Sequence, residues 1–504
     1  MASSSSSPPP PSLTDFLSPL SIDTKKVFAL SRKFTSNFRK VAAESETQFL
    51  PTPITESILR SSPSKNVQND GRYLAIDIGG TNLRVAFVQP SSSSSTNNNS
   101  NSNSSSSQPT LDNHTSHPFP SHFKSSPDLL FSWVGKQIAQ TISQSSHLLS
   151  PSSSTIPIGV AFSFPMIQTS LSSAKIMQMG KGFGSSDPSN TNTATTKEEE
   201  QQEQLLDLAA QITRGYSQHG TTLNLPKLEV VAILNDAVAT YITALNRFPS
   251  TAAMGLIVGT GCNATVPLPL RALNKNKMEG LQLDLNSSSG GSSNEDDNDE
   301  KIVVVNTEWS ISGTAPPLRE LGIFTRWDDE LNSNGGVEIP GFQPLEYMTG
   351  GRYLGELVRI VYADWLGLIG ESEAVPERFR RVYGVSSEEL SKGGKVEGEK
   401  NLLEVVLAVQ RRAAGIVAAA CVGLLRFAGR LDEGEDKELV VGYTGGCIEY
   451  FQDYLGDTQR FVDEILEMEY GGKSKVRVVL RPCHDGGIIG AGVLAGAALA
   501  GRSS

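Results

Sequence analysis

Cysteine is scarce in this sequence: only four of the 504 residues are cysteine, and no two of them form a Cys-x-x-Cys pair. Such a scattered set argues against a disulfide scaffold or a zinc cluster and favours small buried side chains in a reducing compartment. Basic residues are also outnumbered, because 43 Lys and Arg face 54 Asp and Glu, for a formal charge of −11. That balance argues against a nucleic-acid partner and against a polybasic membrane-binding patch.

Long apolar runs are missing as well. The longest, Ala413–Leu425, is shorter than the roughly 20 residues that a membrane-spanning helix needs. The Ser/Pro-rich start of the chain contains no apolar stretch of the kind found in a secretory signal. We therefore expect no membrane span and a cytoplasmic protein.

Low-complexity tracts divide the chain into segments. Residues 1–13 are expected to be a disordered tail, and residues 14–72 are predicted to form a long helix and a linker that pack on the larger of two lobes. The tracts at 91–109, 185–203 and 273–301 are rich in Ser, Asn, Gly or Glu. Because these residue types cannot bury a core, we interpret the three tracts as inserted loops.

Strand and helix patterns alternate between these tracts, which predicts an α/β fold. The length exceeds that of one ordinary core and fits two domains. We expect residues 73–235, together with residues 486–501, to form the smaller lobe, and residues 236–485 to form the larger one.

Two segments share one design, in which a glycine turn containing threonine joins two strands. The first is Tyr73–Val85 and the second is Met254–Val266, about 180 residues later. Turn glycines let backbone N–H groups converge on an anion, and the threonine hydroxyl adds a donor. A single hairpin of this kind could be only a structural turn, but the pair predicts two similar halves that grip a nucleotide triphosphate.

Two acidic positions follow predicted strands. Asp77 ends a strand before the first glycine turn, where a carboxylate could hold Mg²⁺ through water or form a simple Asx turn. Asn235 and Asp236 follow the apolar strand Leu228–Leu234 and precede a helix. Asp236 could accept a hydroxyl proton there, while Asn235 holds a sugar hydroxyl, although a helix N-cap explains the pair equally well.

Four further polar residues suit a phosphorylated polyol. Ser163 and Lys181 fall in one loop system, and a lysine is a suitable point charge for a transferring phosphoryl group unless it is only solvated. Glu308 follows an apolar strand, and Glu346 lies in a segment containing Pro and Gly. Two buried carboxylates would each accept hydrogen bonds from sugar hydroxyls, whereas capping or surface glutamates would have no such role.

Taken together, ordered segments from about Phe49 to the C-terminus resemble the hexokinase family, within the actin-like ATPase superfamily of two-lobed sugar kinases. This resemblance implies an α/β fold of two ribonuclease-H-like lobes around a central cleft, with ATP and Mg²⁺ as cofactors. The segments that carry it are Leu50–Thr52, Asp77–Arg84, Phe162–Pro165, Lys181–Phe183, Leu234–Asp236, Gly259–Ala264, Asn306–Trp309, Gly350–Glu356 and Val441–Gly445.

The resemblance also implies roles for individual residues. Asp236 matches the base that activates the C6 hydroxyl of the sugar, and Lys181 matches the lysine that contacts the sugar and stabilises the phosphoryl group. The implied sugar-binding positions are Ser163, Phe164, Gly180, Lys181, Asn235, Asp236, Asn263, Glu308 and Glu346. The positions implied around Mg-ATP are Asp77, which would hold the metal through water, and Gly79, Gly80, Thr81, Asn82, Arg84, Thr260, Gly261, Gly445 and Gly446.

Departures from the family pattern bear on the choice of sugar. Gly180 replaces the threonine of the usual Trp-Thr-Lys-Gly-Phe segment, which opens volume near the sugar and removes a hydroxyl donor. Several departures are similar to the divergent fungal branch that phosphorylates N-acetylglucosamine, so we expect a hexose or hexosamine substrate, with N-acetylglucosamine preferred. The alternatives are a glucose, fructose and mannose hexokinase, or a weakly catalytic regulatory sugar sensor that acts through protein partners.

Overall fold

The computed structural model describes residues 11–502 with internal gaps. Gly180, Lys181 and the predicted loop at 185–203 lie outside the described residues, as do residues 1–10 and nearly all of the tract at 91–109. The gaps are 56–57, 60–70, 91–108, 121–125, 150–153, 178–205, 284–300, 334–335, 338, 372, 374, 392–400, 433–436 and 472–474.

Helices and strands alternate along most of the described chain, as an α/β fold requires. The strands are β1 (Leu50–Thr55), β2 (Tyr73–Ile78), β3 (Asn82–Gln89), β4 (Thr110–Pro118), β5 (Thr155–Phe162), β6 (Met166–Ser170), β7 (Ser173–Ile176), β8 (Lys227–Asn235), β9 (Ala252–Val258), β10 (Cys262–Pro269), β11 (Ile302–Asn306), β12 (Lys437–Thr444) and β13 (Val476–Pro482). The α-helices are α1 (Leu13–Leu17), α2 (Thr24–Glu44), α3 (Pro127–Gln144), α4 (Leu208–Gly220), α5 (Asp236–Arg247), α6 (Pro316–Glu320), α7 (Arg326–Ser333), α8 (Pro344–Thr349), α9 (Gly351–Leu368), α10 (Glu377–Arg380), α11 (Leu402–Phe427), α12 (Gly446–Tyr450), α13 (Tyr454–Tyr470) and α14 (Gly486–Arg502).

One lobe is built on a five-stranded sheet with the order β4-β3-β2-β5-β8. Strands β2, β5 and β8 run parallel, and their registers pair Ile78 with Phe162 and Phe162 with Asn235. The three strands therefore end level with one another, and the Ser163 N–H donates to the Ile78 carbonyl at 3.0 Å. Residues that follow these strands are brought together at one edge of the sheet, where α/β proteins bind ligands.

The other lobe is built on a six-stranded sheet with the order β1-β11-β10-β9-β12-β13. Strands β9 and β10 form the second glycine hairpin, and β12 runs parallel to β9. In that register Thr444 pairs with Ile257, so the end of β12 lies beside the hairpin turn. A Cβ at Gly445 would come within 2.2 Å of the Val258 carbonyl oxygen, which explains glycine at this close approach.

Helices α5 and α14 lie between the two sheets and contact each other. Helix α14 packs on β2, β3, β5 and β8, whereas α5 packs on β9, β10 and β12. A Cβ at Gly490 of α14 would lie 2.2 Å from the Ala239 carbonyl oxygen of α5, and a Cβ at Gly159 of β5 would lie 2.1 Å from the Ala491 carbonyl oxygen. Glycine at Gly490 therefore permits the close contact of α14 with α5 that joins the lobes, and glycine at Gly159 lets α14 lie close to the sheet of its own lobe.

Helices cover the six-stranded sheet and form the largest core. The long helix α2 packs on α11 and α13 and buries Val27, Leu30, Phe34 and Phe38, which recur at the spacing of one helical face. By length and composition, α11 is the one helix among the described residues that could cross a membrane, although its apolar residues are mostly buried inside the protein.

The prediction that residues 273–301 contribute nothing to a core is wrong for the first part of that tract. Leu273 is buried in the core of the larger lobe. The Lys277 ammonium donates to the Ala42 and Gln48 carbonyl oxygens at 3.0 and 2.8 Å, and burial lowers the pKa of Lys277 to about 8. Composition does not predict this contact, because the aliphatic part of a lysine side chain can pack on apolar surface while its ammonium donates to backbone carbonyl oxygens. Residues 284–300 lie outside the described part of the chain.

The contact of Gly490 with Ala239 gives a direct test of the inter-lobe packing. Gly490→Ala would force the two helices apart, and we expect it to lower the free energy of unfolding by about 1–3 kcal/mol. Gly501→Ala, on the same helix but with open space around its Cβ, is the matched control and should be neutral or slightly stabilising. Urea unfolding measures both variants, and equal effects would contradict the packing argument.

Candidate active site

Two cavities meet between the lobes. One is a groove that runs past both glycine hairpins, and the other is a more enclosed pocket on the side of β11 and α8. Four residues line both cavities: Ser163, Asp236, Ile257 and Gly261. The two cavities are therefore parts of one cleft, and Asp236 lies where they join.

Glycines make up much of the groove wall. Backbone N–H groups can approach an anion closely where no side chain intervenes, so this wall suits a polyphosphate. The first two glycines follow Asp77, others flank Thr260 or follow Thr444, and the last pair begins α14. The glycines are Gly79, Gly80, Gly259, Gly261, Gly445, Gly446, Gly486 and Gly487.

Asp77 is the buried acidic residue of the groove. Its Oδ2 atom accepts a hydrogen bond from Arg84 Nη1 at 2.8 Å, and a Cβ at Gly487 would lie 2.7 Å from its Cγ atom. Burial raises the pKa of Asp77, Arg84 lowers it, and the nearby carboxylates of Asp236 and Asp485 raise it again. The first turn of α14 therefore packs directly against the Asp77 carboxylate, which also has the carboxylates of Asp236 and Asp485 nearby.

This donor set fits a divalent cation that arrives with a nucleotide. Oxygen ligands and neighbouring negative charges are what Mg²⁺ favours, and it retains several waters when it binds. Within the described residues, no three or more His, Cys, Asp or Glu side chains are grouped so that they could hold a metal ion by themselves. Asp77 at the groove floor is thus suited to contact a metal through water while phosphate oxygens complete the coordination.

Asn235 and Asp236 lie together at the start of α5, where the Ala237 N–H donates to both side chains, to Asp236 Oδ1 at 2.8 Å. Asn235 is the N-cap of α5, because its Oδ1 atom accepts the Ala237 N–H at 2.9 Å. Its Nδ2 atom donates to the Phe162 carbonyl at 3.3 Å, so the cap is tied to the end of β5. Asp236 is the first residue of the helix, where the helix dipole favours a negative charge, and it faces the junction of the two cavities.

Buried polar side chains form the pocket beyond Asp236. The Asn263 amide donates to Asn306 Oδ1 at 2.9 Å, and the Asn306 amide donates to Glu308 Oε1 at 2.8 Å. Glu346 Oε2 accepts the Cys262 N–H at 3.0 Å. Glu308 and Glu346 are nearly fully buried, as expected for carboxylates that would receive sugar hydroxyls.

The structure brings most of the predicted site residues into this cleft. Ser163, Phe164, Asp236, Asn263, Glu308 and Glu346 line the pocket. Asn235 caps α5, and its Oδ1 atom lies 3.4 Å from the Asn263 amide, so its contact with a sugar stays a prediction. Gly180 and Lys181 lie outside the described residues, so their roles stay predictions. The predicted residues that line the groove are Asp77, Gly79, Gly80, Thr81, Asn82, Arg84, Thr260, Gly261, Gly445 and Gly446.

Sequence reasoning missed several residues that line the cleft. Phe342 and Gln343 line the pocket, and Thr444 and Asp485 line the groove. Phe342 and Gln343 precede Glu346 in the same segment containing Pro and Gly, so the whole segment, and not Glu346 alone, could have been predicted to line the site. Asp485 precedes two glycines and a helix and has a φ of +55°, which is uncommon for a residue other than glycine.

Comparisons with known proteins agree with this arrangement. Two family profiles, both described as hexokinase, match the chain. The first matches residues 12–245, and the second matches two overlapping ranges, 253–404 and 371–497. Hexokinase-7 of Oryza sativa is 25% identical to this chain over 457 residues, and the match covers 86% of each chain. Hexokinase-1 of Nicotiana tabacum is 25% identical over 455 residues, and that match covers 84% of this chain and 79% of the tobacco protein. A Schistosoma mansoni hexokinase structure in complex with glucose shares the fold, with a TM-score of 0.69, 21% identity, and coverage of 96% of this chain and 98% of its own.

The fold and the cleft define a two-lobed α/β sugar phosphotransferase, as the sequence predicted. The profile matches cover almost the whole chain, and the chain belongs to the hexokinase family. Kinases of this family use ATP, generally with Mg²⁺, which agrees with the glycine-lined groove and its buried aspartate.

The ion pair between Arg84 and Asp77 predicts a pH effect. Arg84→Gln removes the cation that holds the pKa of Asp77 down, while burial and the neighbouring carboxylates continue to raise it. Because a metal-binding carboxylate must be ionised, we expect the acidic limb of the kcat/KM profile for ATP to move up by about 1 pH unit or more. Arg72→Gln, which breaks an ion pair with Asp112 outside the groove, is the control and should leave the limb in place. An unshifted limb in Arg84→Gln would show that Asp77 does not govern ATP use.

Proposed function

We propose that this protein transfers the γ-phosphoryl group of ATP to the C6 hydroxyl of a hexose, with Mg²⁺ as the metal. The observation that carries the proposal is the position of Asp236, whose side chain borders both the glycine-lined groove and the polar pocket. A triphosphate in the groove and a sugar in the pocket would meet at this carboxylate. Direct transfer between two bound substrates requires such a meeting point.

The pocket residues would hold and orient the sugar. Glu308 and Glu346 accept hydroxyl hydrogen bonds, and the amide of Asn263 lies beside Glu308 as part of the same polar wall. Buried carboxylates form strong hydrogen bonds with hydroxyl groups, because water does not compete for them. These contacts fix which hydroxyl points toward the groove.

Asp236 would act as the base. As the C6 oxygen forms its bond to the γ-phosphorus, Asp236 takes the hydroxyl proton, and the bond between the γ-phosphorus and the ADP oxygen breaks. Mg²⁺, when bound near Asp77, would neutralise charge on the phosphate oxygens. Lys181, where the resemblance places the family lysine, would add positive charge at the transferring group. Closure of the two lobes would exclude water, which otherwise competes with the sugar as acceptor.

The proposal includes a cytoplasmic location and a preference for N-acetylglucosamine. All four cysteines are free and buried, which supports a reducing compartment. Gly180 stands where the family has threonine, and this replacement would leave room for an acetamido group and remove one hydroxyl partner if the resemblance holds at this position. A hexokinase for glucose, fructose and mannose is the alternative substrate range, and a weakly catalytic sugar sensor is the alternative class.

Substitution of the base tests the phosphoryl-transfer proposal. Asp236→Asn keeps the size and the acceptor oxygen of the side chain but removes its basicity, and we expect kcat to fall about 10²-fold or more while sugar still binds. Asp207→Asn, at the N-cap of α4, is the matched control for a capping aspartate and should keep wild-type turnover. Near wild-type turnover in Asp236→Asn would contradict the assignment. Coupled ADP-release kinetics and sugar-binding calorimetry measure both quantities.

A second substitution tests the choice of sugar. Gly180→Thr restores the family side chain, and we expect it to raise kcat/KM for glucose relative to N-acetylglucosamine by about tenfold, through one regained hydrogen bond and lost space. Gly180→Ala, which adds a methyl group but no hydroxyl, separates the two causes. An unchanged ratio in Gly180→Thr would refute the space argument, and no turnover of either sugar by the wild type would favour the sensor.

A further inference from the structure

Glu308, one of the two buried carboxylates of the pocket, has a backbone conformation that glutamate rarely adopts. Its φ is +43°, in the left-handed region, where the Cβ of an ordinary side chain crowds the backbone. Contacts around the residue must therefore hold this conformation. Because φ and ψ set the direction of the Cα–Cβ bond relative to the adjoining peptide groups, the same contacts decide where the carboxylate lies in the pocket.

The two residues before β1 hold the peptide groups on both sides of Glu308. The Phe49 N–H donates to the Thr307 carbonyl at 2.9 Å, which fixes the peptide group that precedes Glu308. The Gln48 amide donates to the Glu308 carbonyl at 2.9 Å and to the Ile311 carbonyl at 3.3 Å, which fixes the peptide group that follows. Of these contacts, only those of Gln48 come from a side chain, so they can be removed by substitution.

Gln48 is itself held firmly in place. Its side chain is buried, and the Lys277 ammonium donates to its backbone carbonyl at 2.8 Å. A Cβ at Gly313 would lie only 2.1 Å from Gln48 Oε1, so the amide fills the space that this glycine leaves. A side chain enclosed in this way keeps its donor atoms at one position and can hold a neighbouring backbone precisely.

Gln48 acts on the site through Glu308 and not by direct contact. Glu308 lines the pocket, where its Oε1 atom accepts the Asn306 amide at 2.8 Å, whereas Gln48 lines neither the pocket nor the groove. Removing the amide would leave the buried Glu308 carbonyl without one of its donors and would release the peptide group that follows Glu308. The carboxylate would then lose its fixed position beside Asn306.

We propose that Gln48 is a positioning residue, whose amide holds the left-handed backbone of Glu308 so that the carboxylate faces the polar pocket. The consequence for sugar binding rests on the proposed function, in which Glu308 accepts a hydroxyl hydrogen bond. Because Gln48 is remote from the groove, its loss should weaken the sugar and leave the use of ATP unchanged. This separation distinguishes positioning from a general contribution to stability.

A substitution that removes only the amide tests the proposal in the full-length protein. Gln48→Met keeps the length of the side chain but has no N–H donor. Gln459→Met is the matched control, because the Gln459 amide also donates to a backbone carbonyl of the larger lobe at 2.9 Å, that of Val478, and lines neither cavity. Binding of glucose and of N-acetylglucosamine is measured by calorimetry, and KM and kcat are measured by coupled ADP release.

We expect Gln48→Met to raise the dissociation constant and KM for sugar by about tenfold, the upper range of what one hydrogen bond contributes. The KM for ATP and kcat at saturating sugar should stay near wild type, and Gln459→Met should bind sugar normally. A lower kcat with unchanged sugar affinity would show only a loss of folded protein and would overturn the proposal. If Gln48→Met does not fold, Gly313→Ala decides, because its methyl group displaces the Gln48 amide, and unchanged sugar affinity in that variant would overturn the proposal.

Crystal structures of the unliganded wild type and Gln48→Met separate this inference from the proposed function. We expect Glu308 to leave the left-handed region in the variant and its carboxylate to move away from Asn306. An unchanged Glu308 would overturn the inference, whatever the sugar affinity. Absence of turnover by a wild type that binds sugar would instead refute the proposed function, and a displaced Glu308 would still support the positioning role of Gln48.

Discussion

The contact between helices α5 and α14 fixes the geometry of the whole cleft. The helices meet where Gly490 lies against Ala239, and the Thr243 hydroxyl of α5 donates to the Gly486 carbonyl of α14 at 2.9 Å. Helix α5 begins with Asp236 at the polar pocket, and α14 begins beside the Asp77 carboxylate in the groove. A shift at this contact would therefore change the distance between Asp236 and the glycine-lined groove, even though neither Gly490 nor Ala239 lines the groove or the pocket. Because each helix also packs on the sheet of a different lobe, the same contact joins the two lobes beside the cleft.

Electrostatics in the groove complement this packing. Asp77, Asp236 and Asp485 lie near enough to one another to disfavour ionisation of Asp77, and Arg84 offsets part of that effect. Such a cluster of negative charge is stabilised when a divalent cation enters, and the glycine-lined wall beside it can bind the phosphates that accompany the cation. The pocket on the other side of Asp236 relies instead on buried carboxylates and amides that are already hydrogen-bonded to one another. The two halves of the cleft thus have different chemistries, as expected for two different substrates.

The sequence predicted those parts of the site that depend on local motifs. The two glycine hairpins, Asp236 after an apolar strand and the α/β alternation could be read directly, because each is specified by a few neighbouring residues. Features that depend on tertiary contact could not: Lys277 packs through its stem onto distant carbonyls, and β4 has few apolar residues yet completes the five-stranded sheet. Phe342 was missed for the same reason, since nothing local distinguishes a phenylalanine in a pocket wall from one in a core. The Asn235–Asp236 pair shows this limit as well, because the sequence allowed a cap or a part in the chemistry; the structure shows the cap at Asn235, and its contact with a sugar stays a prediction.

The central claim is that sugar and nucleotide meet at Asp236 with the sugar's C6 hydroxyl toward the groove. The position of the phosphate on the product tests this most directly. Correlated ³¹P–¹H nuclear magnetic resonance of the product formed from ATP and N-acetylglucosamine should couple the phosphorus to the two C6 protons. A phosphate coupled to the C1, C3 or C4 proton would contradict the orientation in the pocket, and formation of inorganic phosphate without any phosphorylated sugar would contradict the account as a whole.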